Sequence, residues 1–207
     1  MKNSTNAKKL ALKLIIIYFI VTFTTGCVST QELQHSMDAI DSFWGGINSK
    51  TLASQGSRTY SNNVDKCMKA AKNAAGQLGF TIIEESSNSL IVQSLTPNPF
   101  TKEEYQAIKE IEEPIMQAMA SNYVGKFYST IFVLDDSGNF YITARIEILS
   151  IRSQEESSVK IAFKLHPKNK SKWIIYGTNP PPEAVKKGLE KWWNAFEENL
   201  IELMEPA

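Results

Sequence analysis

The sequence predicts an α+β fold: an antiparallel sheet of about five to six strands, helices on one face, and a long C-terminal helix. Three observations carry this expectation. Phe140, Ile142, Ala144, Ile146 and Ile148 alternate with Tyr141, Thr143, Arg145 and Glu147, and Val159, Ile161, Phe163 and Leu165 alternate with Lys160, Ala162 and Lys164. That period of two describes a sheet with one buried and one wet face. Val185, Leu189, Trp192, Phe196, Leu200 and Leu203 recur at helical spacing, and Trp193 and Met204 widen the stripe. Burying six such side chains contributes on the order of 10–15 kcal/mol gross, before chain entropy. The third observation is order: helix, two strands, helix, three or four strands, helix.

The chain opens differently. Lys2, Lys8, Lys9 and Lys13 lie in a stretch without acid, and an apolar run of about ten residues, 14–23, follows. A spanning helix needs roughly 20 apolar residues, so this run is too short to be one. Thr24-Thr25-Gly26-Cys27 comes next. Together these features resemble the signal peptide and lipobox of bacterial lipoproteins, with Thr24 where that family usually carries Leu. The resemblance implies cleavage of residues 1–26 and lipid attachment at Cys27. An ordinary secreted chain, or an uncleaved anchor with Cys27 incidental, is the alternative. Val28 stands where an Asp would retain such a protein at the inner membrane. The resemblance therefore implies an outer-membrane location, lipid-anchored, with the domain facing the periplasm. Two or three acyl chains at about 0.8 kcal/mol per methylene would hold it there.

Residues 27–60 are expected to form the anchor, a short amphipathic helix and a linker. Leu33, Met37, Ile40 and Trp44 share one helical face, which Gly45-Gly46 should end. About ten residues are too few for an isolated helix, so this one must dock. Its own domain and a partner are the stronger options. Glu32, Asp38 and Asp41 make the lipid surface the weakest. Residues 47–60 are expected to be a polar linker.

The remaining elements belong to one domain over 61–205. Asn63 can cap a helix over 64–78, and Gly79 suits its C′ position. Phe80-Thr81-Ile82-Ile83 and residues 90–95 are expected to form a hairpin around Ser86-Ser87-Asn88-Ser89. Thr101 and Glu104 form a capping box for a helix carrying Tyr105, Ile108, Ile111, Ile115, Met116 and Met119, which Pro114 should kink. Residues 127–134, apolar on both faces, are expected to be a strand. Asp135-Asp136-Ser137-Gly138-Asn139 is then a hairpin turn rather than a calcium loop, since it lacks alternating ligands and a distal Glu. Residues 173–176 could add a short strand before Pro180-Pro181-Pro182 leads into the last helix. This element order loosely resembles the helix-grip domains of envelope assembly lipoproteins.

Composition bounds the function. The 207 residues carry 22 basic and 22 acidic side chains, two Cys and two His. No broad basic field exists, which disfavours nucleic acid. Cleavage after residue 26 would leave 18 basic against 22 acidic residues, a net charge of −4. Cys67 falls on a helical stripe with Val64, Ala71 and Leu78, as a small core residue. His35 and His166 lie far apart, outside any metal-ligand spacing. No phosphate loop, GxSxG elbow or paired carboxylate on one face is present, so no catalytic residue, metal or cofactor is assigned. An enzyme would need His166 beside a nucleophile. The expectation is a non-enzymatic outer-membrane lipoprotein acting as an accessory or assembly subunit of a cell-envelope complex. Its partner contacts would come from Leu33, Met37, Ile40 and Trp44, or from Tyr141, Arg145 and Lys160 on the wet sheet face. The alternative is a periplasmic binding module holding a lipid, peptide or glycan in a helix–sheet groove walled by Trp192 and Trp193.

Overall fold

In the computed structural model, which describes residues 28–151, 155–169 and 177–204, nine elements follow one another. They are α1 (Thr30–Gln55), β1 (Ser57–Tyr60), α2 (Val64–Gln77), β2 (Thr81–Glu85), β3 (Ser89–Leu95), α3 (Lys102–Ser129), β4 (Phe140–Ser150), β5 (Ser157–Pro167) and α4 (Pro182–Glu202). The strands form one antiparallel sheet of five, ordered β1-β5-β4-β3-β2. The expected α+β class is the observed one.

The alternating residues do what their period requires. Leu90, Val92, Ile142, Ala144, Ile146, Ile148, Val159, Ile161 and Phe163 are buried on the inner face. There α2 adds Cys67, Ala70, Ala71, Ala74 and Ala75, and α4 adds Val185, Leu189, Trp192, Trp193, Phe196 and Leu200. The small residues of α2 let it lie close to the larger side chains of α4. Met204, placed on the buried stripe by its spacing, is instead 60% exposed just past the helix end. A polar triad ties α4 to the edge of the sheet: Glu197 accepts from Arg58 at 2.6 Å and from Tyr60 at 2.8 Å.

A second apolar cluster joins α1 and α3. Ile40 and Trp44 pack with Tyr105, Ile108, Met116, Ala120 and Val124, and Phe132 and Leu134 close over them. The short helix expected over 33–44 thus docks on its own fold. It is also longer, because Gly45-Gly46 does not end it. Each helical glycine costs about 1 kcal/mol, and Gly45 has a packing reason: a Cβ there would lie 2.9 Å from Asn179 Nδ2. Gly46 faces open space, and nothing in the fold explains it. The helix starts at a capping box, with Glu32 N–H donating to Ser29 Oγ at 3.2 Å and Ser29 N–H to the Glu32 carboxylate at 2.8 Å. The expected linker over 47–60 is the last part of α1 and then β1, which pairs with β5.

Two other expectations need correcting. The helix runs through Pro114, which stands exposed, and its backbone leaves helical geometry at Gly125 instead (φ 75°, ψ 163°). Glycine alone takes that conformation cheaply. Residues 127–134 are not a strand. The helix continues to Ser129, and residues 131–137 then run back along α3 as a strap. Gln117 donates to the Phe132 carbonyl at 3.2 Å, Leu134 N–H donates to Glu113 at 2.9 Å, and Lys109 reaches Asp136 at 3.0 Å. Helix side chains satisfy this backbone where a neighbouring strand was expected. The Asp135–Asn139 turn therefore joins strap to strand, held by Asp135 accepting from Asn139 N–H at 3.0 Å. The strand expected over 173–176 lies outside the described residues.

The two clusters meet before α4. Pro181 offers that helix no side-chain cap. Glu112, 4% exposed on α3, accepts from Glu183 N–H at 2.7 Å and supplies it. From α1, Asp41 accepts from Thr178 N–H at 2.6 Å and from Asn179 N–H at 2.8 Å, and Asn48 donates to the Pro180 carbonyl at 2.8 Å. These contacts also give helix directions. The pairs Asn48–Pro180 and Gln55–Trp193 make α1 parallel to α4, while Glu112–Glu183 and Glu104–Lys191 make α3 antiparallel to it. Helices α1 and α3 are therefore antiparallel.

Burial pushes the Glu112 carboxyl above its ordinary range; the Glu183 N–H opposes that shift and the Glu183 carboxylate adds to it. The folded state then holds the proton more tightly than the unfolded chain. Glu112's contribution to stability accordingly falls as pH rises above the ordinary carboxylate value of about 4.3. Glu112→Gln keeps an acceptor for Glu183 N–H without a charge. Urea titrations should show it gaining stability relative to the native chain between about pH 4 and pH 7. Glu112→Ala should cost about 1–2 kcal/mol through the lost cap. A Gln variant whose difference from the native chain is the same at every pH contradicts this account.

Candidate functional site: an apolar cavity between the two cores

Where α1, α3, the strap and the start of α4 converge, they leave a cavity of about 490 Å³. Leu33, Met37 and Trp44 come from α1, and Tyr105 and Met116 from α3. Phe132 and Leu134 enter from the strap, Ile142 and Phe163 from the sheet, and Ala184, Val185 and Gly188 from α4. The volume lies within the usual range for small-molecule sites, and so does an apolar lining with few polar groups. Gly188 keeps that wall low: a Cβ there would come only to 3.8 Å from Phe100 and Phe163.

The polar groups are Thr96, Asn98, Lys109, Asp135, Asp136, Ser137 and Asn179; Asn179 is held by Asp41 of α1, and Thr96 by Asp135. Lys109 lies 3.0 Å from Asp136 and 3.7 Å from Glu113. Its bond to Asp136 raises the Lys109 pKa and lowers that of Asp136. Both groups stay ionised, and the pair makes a charged rim beside an apolar interior. Burial, helped by Asp135, Asp136 and Glu113, keeps the Tyr105 phenol protonated far above its usual range. Trp44 is 4% exposed, and its indole N–H has no acceptor among the described residues. A buried donor left so costs about 1–3 kcal/mol. The indole of Trp192 is orphaned too, but it lies in the packed sheet core and does not line the cavity.

The residues expected to contact partners separate into two groups. Ile40 and Trp44 turn inward, and Leu33, Met37 and Trp44 line the cavity. Tyr141, Arg145 and Lys160 lie on the outer sheet face. Arg145 pairs with Glu147 at 3.0 Å, and the Tyr141 ring lies 5.8 Å from His166. His166 also meets the Gln93 amide at 3.0 Å. Trp192 and Trp193, 1% exposed each, wall no groove: Trp193 donates to the Gln55 carbonyl at 2.8 Å within the packed core. The cavity opens instead near the other end of α4. In the sequence Asp41 counts only as a charge on the α1 face, because its work is on a loop 137 residues away.

Cys27 and the expected signal segment over 1–26 lie outside the described residues. Among the described residues no helix is long and apolar enough to cross a membrane. Among them, too, no group of three or more His, Cys, Asp or Glu is placed to hold a metal ion. Comparison with protein-family models, with curated proteins and with solved structures gives no match for this chain.

Cys67 is fully buried and free, and burial pushes its thiol pKa up. Both effects suppress the thiolate that reacts. Maleimide labelling of Cys67 should proceed only as fast as the fold opens, and denaturant should accelerate it in step with unfolding. Rapid labelling of the folded chain would contradict the assignment of Cys67 to the core.

Proposed function

We propose that this chain is a non-catalytic lipoprotein of the bacterial outer membrane, anchored through Cys27, whose periplasmic body holds the acyl chain of a lipid. The apolar cavity between α1, α3 and the start of α4 is the observation that carries this reading. Its chemistry selects among lipid, peptide and glycan. A glycan would bring hydroxyls into a wall of Phe, Leu, Met and Val side chains, and each unpaired hydroxyl would cost several kcal/mol at worst. A buried peptide would face the same cost for its backbone groups. An acyl chain has nothing to satisfy, and a polar headgroup would find Lys109, Asp136 and Ser137 at the rim. The Trp44 indole N–H is a donor suited to a carbonyl or ester oxygen near that chain.

A brominated fatty acid tests this directly. Added to the delipidated full chain, it should quench part of the tryptophan emission, and Trp44→Phe should remove that part. Ala184→Phe, which puts a ring into the cavity from a half-buried position, should weaken binding at least tenfold while leaving the melting temperature nearly unchanged. Equal quenching in all three proteins would sink the reading.

A second reading is the accessory or assembly subunit of an envelope complex. Strand β2 favours it: this edge strand exposes Ile82 at 40% and Ile83 at 54%. Unpaired edges carrying apolar side chains are templates for strand addition. Photocrosslinkers at Ile83 and Tyr141 in intact cells should then yield a discrete protein adduct at one or both. No adduct at either position removes this reading.

A further inference from the structure

Four large apolar side chains stand exposed at one end of the molecule: Tyr123 at 45%, Phe127 at 81%, Ile131 at 59% and Val133 at 57%. They flank the end of α3 and the start of the strap. Ile111 and Ile115, at 49% and 42%, extend the exposed apolar surface back along α3. Residues 114–134 contain no acid, and their one charged residue is the exposed Lys126. Solvated surfaces mix both signs of charge, whereas this acid-free apolar stretch with a basic residue suits a phospholipid interface; the exposed acids Glu32 and Asp38 belong to α1 and not to it.

The fold says what lies beside this end. Because α1 and α3 are antiparallel, the N-terminus of α1 sits next to the C-terminus of α3. Val28, the first described residue, is half-buried against the α1–α3 cluster. Helix rise puts it about 18 Å from Ile40, so its neighbours there belong to α3 or the strap. Cys27 is one residue further, ~3.8 Å along the chain. On the anchored reading, whether Cys27 is lipidated or the apolar run 14–23 is retained, the bilayer begins at this end of the body.

We infer that Tyr123, Phe127, Ile131 and Val133, with Lys126, form a membrane-contact surface that lays the body against the phospholipid headgroups. The inference rests on the anchored reading proposed above. It adds a second, non-covalent contact that fixes the orientation of the body. In that orientation the start of the strap, where Ile131 lines the cavity, lies nearest the lipid from which an acyl chain would come.

The test uses the full-length chain extracted from cell membranes and reconstituted in phosphatidylethanolamine–phosphatidylglycerol vesicles. A cysteine introduced at Phe127 or Ile131 carries an environment-sensitive fluorophore. A third protein carries it at Lys160, on the outer sheet face; the buried Cys67 does not label, and where Cys27 proves unacylated all three proteins carry Cys27→Ser. These positions are exposed, so the substitutions leave the fold intact. Brominated acyl chains should quench the label at 127 and 131 several-fold more than at 160. Equal weak quenching at all three overturns the contact surface. The mass of the N-terminal peptide is read in parallel. An acylated peptide with unquenched labels means the anchor is right and the contact surface is wrong. A chain that keeps neither acyl groups nor the 14–23 segment overturns the anchor, and with it this inference.

Discussion

Two carboxylates, one buried and one half-buried, hold the molecule together at its seam. Asp41 on α1 and Glu112 on α3 both spend their hydrogen-bonding capacity on the backbone of residues 178–183, which leads into α4. Helix α4 fills the sheet core, whereas α1 and α3 own the second core. Without this junction the two apolar clusters would share only a modest contact between helices. The glycines at 45 and 177 serve the same seam: a Cβ at Gly177 would stand 2.7 Å from the Asp41 carboxylate. The backbone passes too close to α1 for any side chain there.

That constraint also explains the cavity. A loop held at fixed distance from α1 by hydrogen bonds cannot collapse inward to fill space, and the strap is held off by Gln117, Glu113 and Lys109 in the same way. Interiors normally pack to crystal-like density. Here polar pins at the perimeter prop the walls apart, and apolar side chains face one another across the gap. On the anchored reading proposed above, such a cavity and an exposed apolar end beside the anchor would be the parts needed to shelter a lipid chain from water.

Much of the fold was legible because period and burial agree. The β4 and β5 alternation, the α4 stripe, the Thr101–Glu104 capping box and the Gly79 turn are local signals, and local chemistry decided them. The errors have a common physical cause. Gly45-Gly46 looks like a stop until the loop packed against Gly45 is known. Residues 127–134 look like a strand because β-branched and aromatic residues suit any extended backbone, including one bonded to a helix's side chains. Residues 47–60 look like a linker because polarity on an edge strand and on an exposed helix face reads the same in sequence. The Ser29-x-x-Glu32 box was a readable sign that α1 begins there. The site was half legible. Leu33, Met37 and Trp44 were picked out for their helical face, but that they face a cavity depends on the strap and on α4, at least 87 residues away in sequence. Asp41 and Glu112 resemble ordinary surface acids, since nothing local marks a carboxylate that caps a distant backbone.

Whether the seam cavity is a lipid-chain site is decided by a crystal structure of the full chain extracted from membranes without delipidation. The account predicts continuous elongated density along Met37, Trp44, Met116 and Phe163, with an oxygen within hydrogen-bond distance of Trp44 Nε1. A cavity closed by the movement of these side chains onto one another, or filled by ordered water, would contradict it.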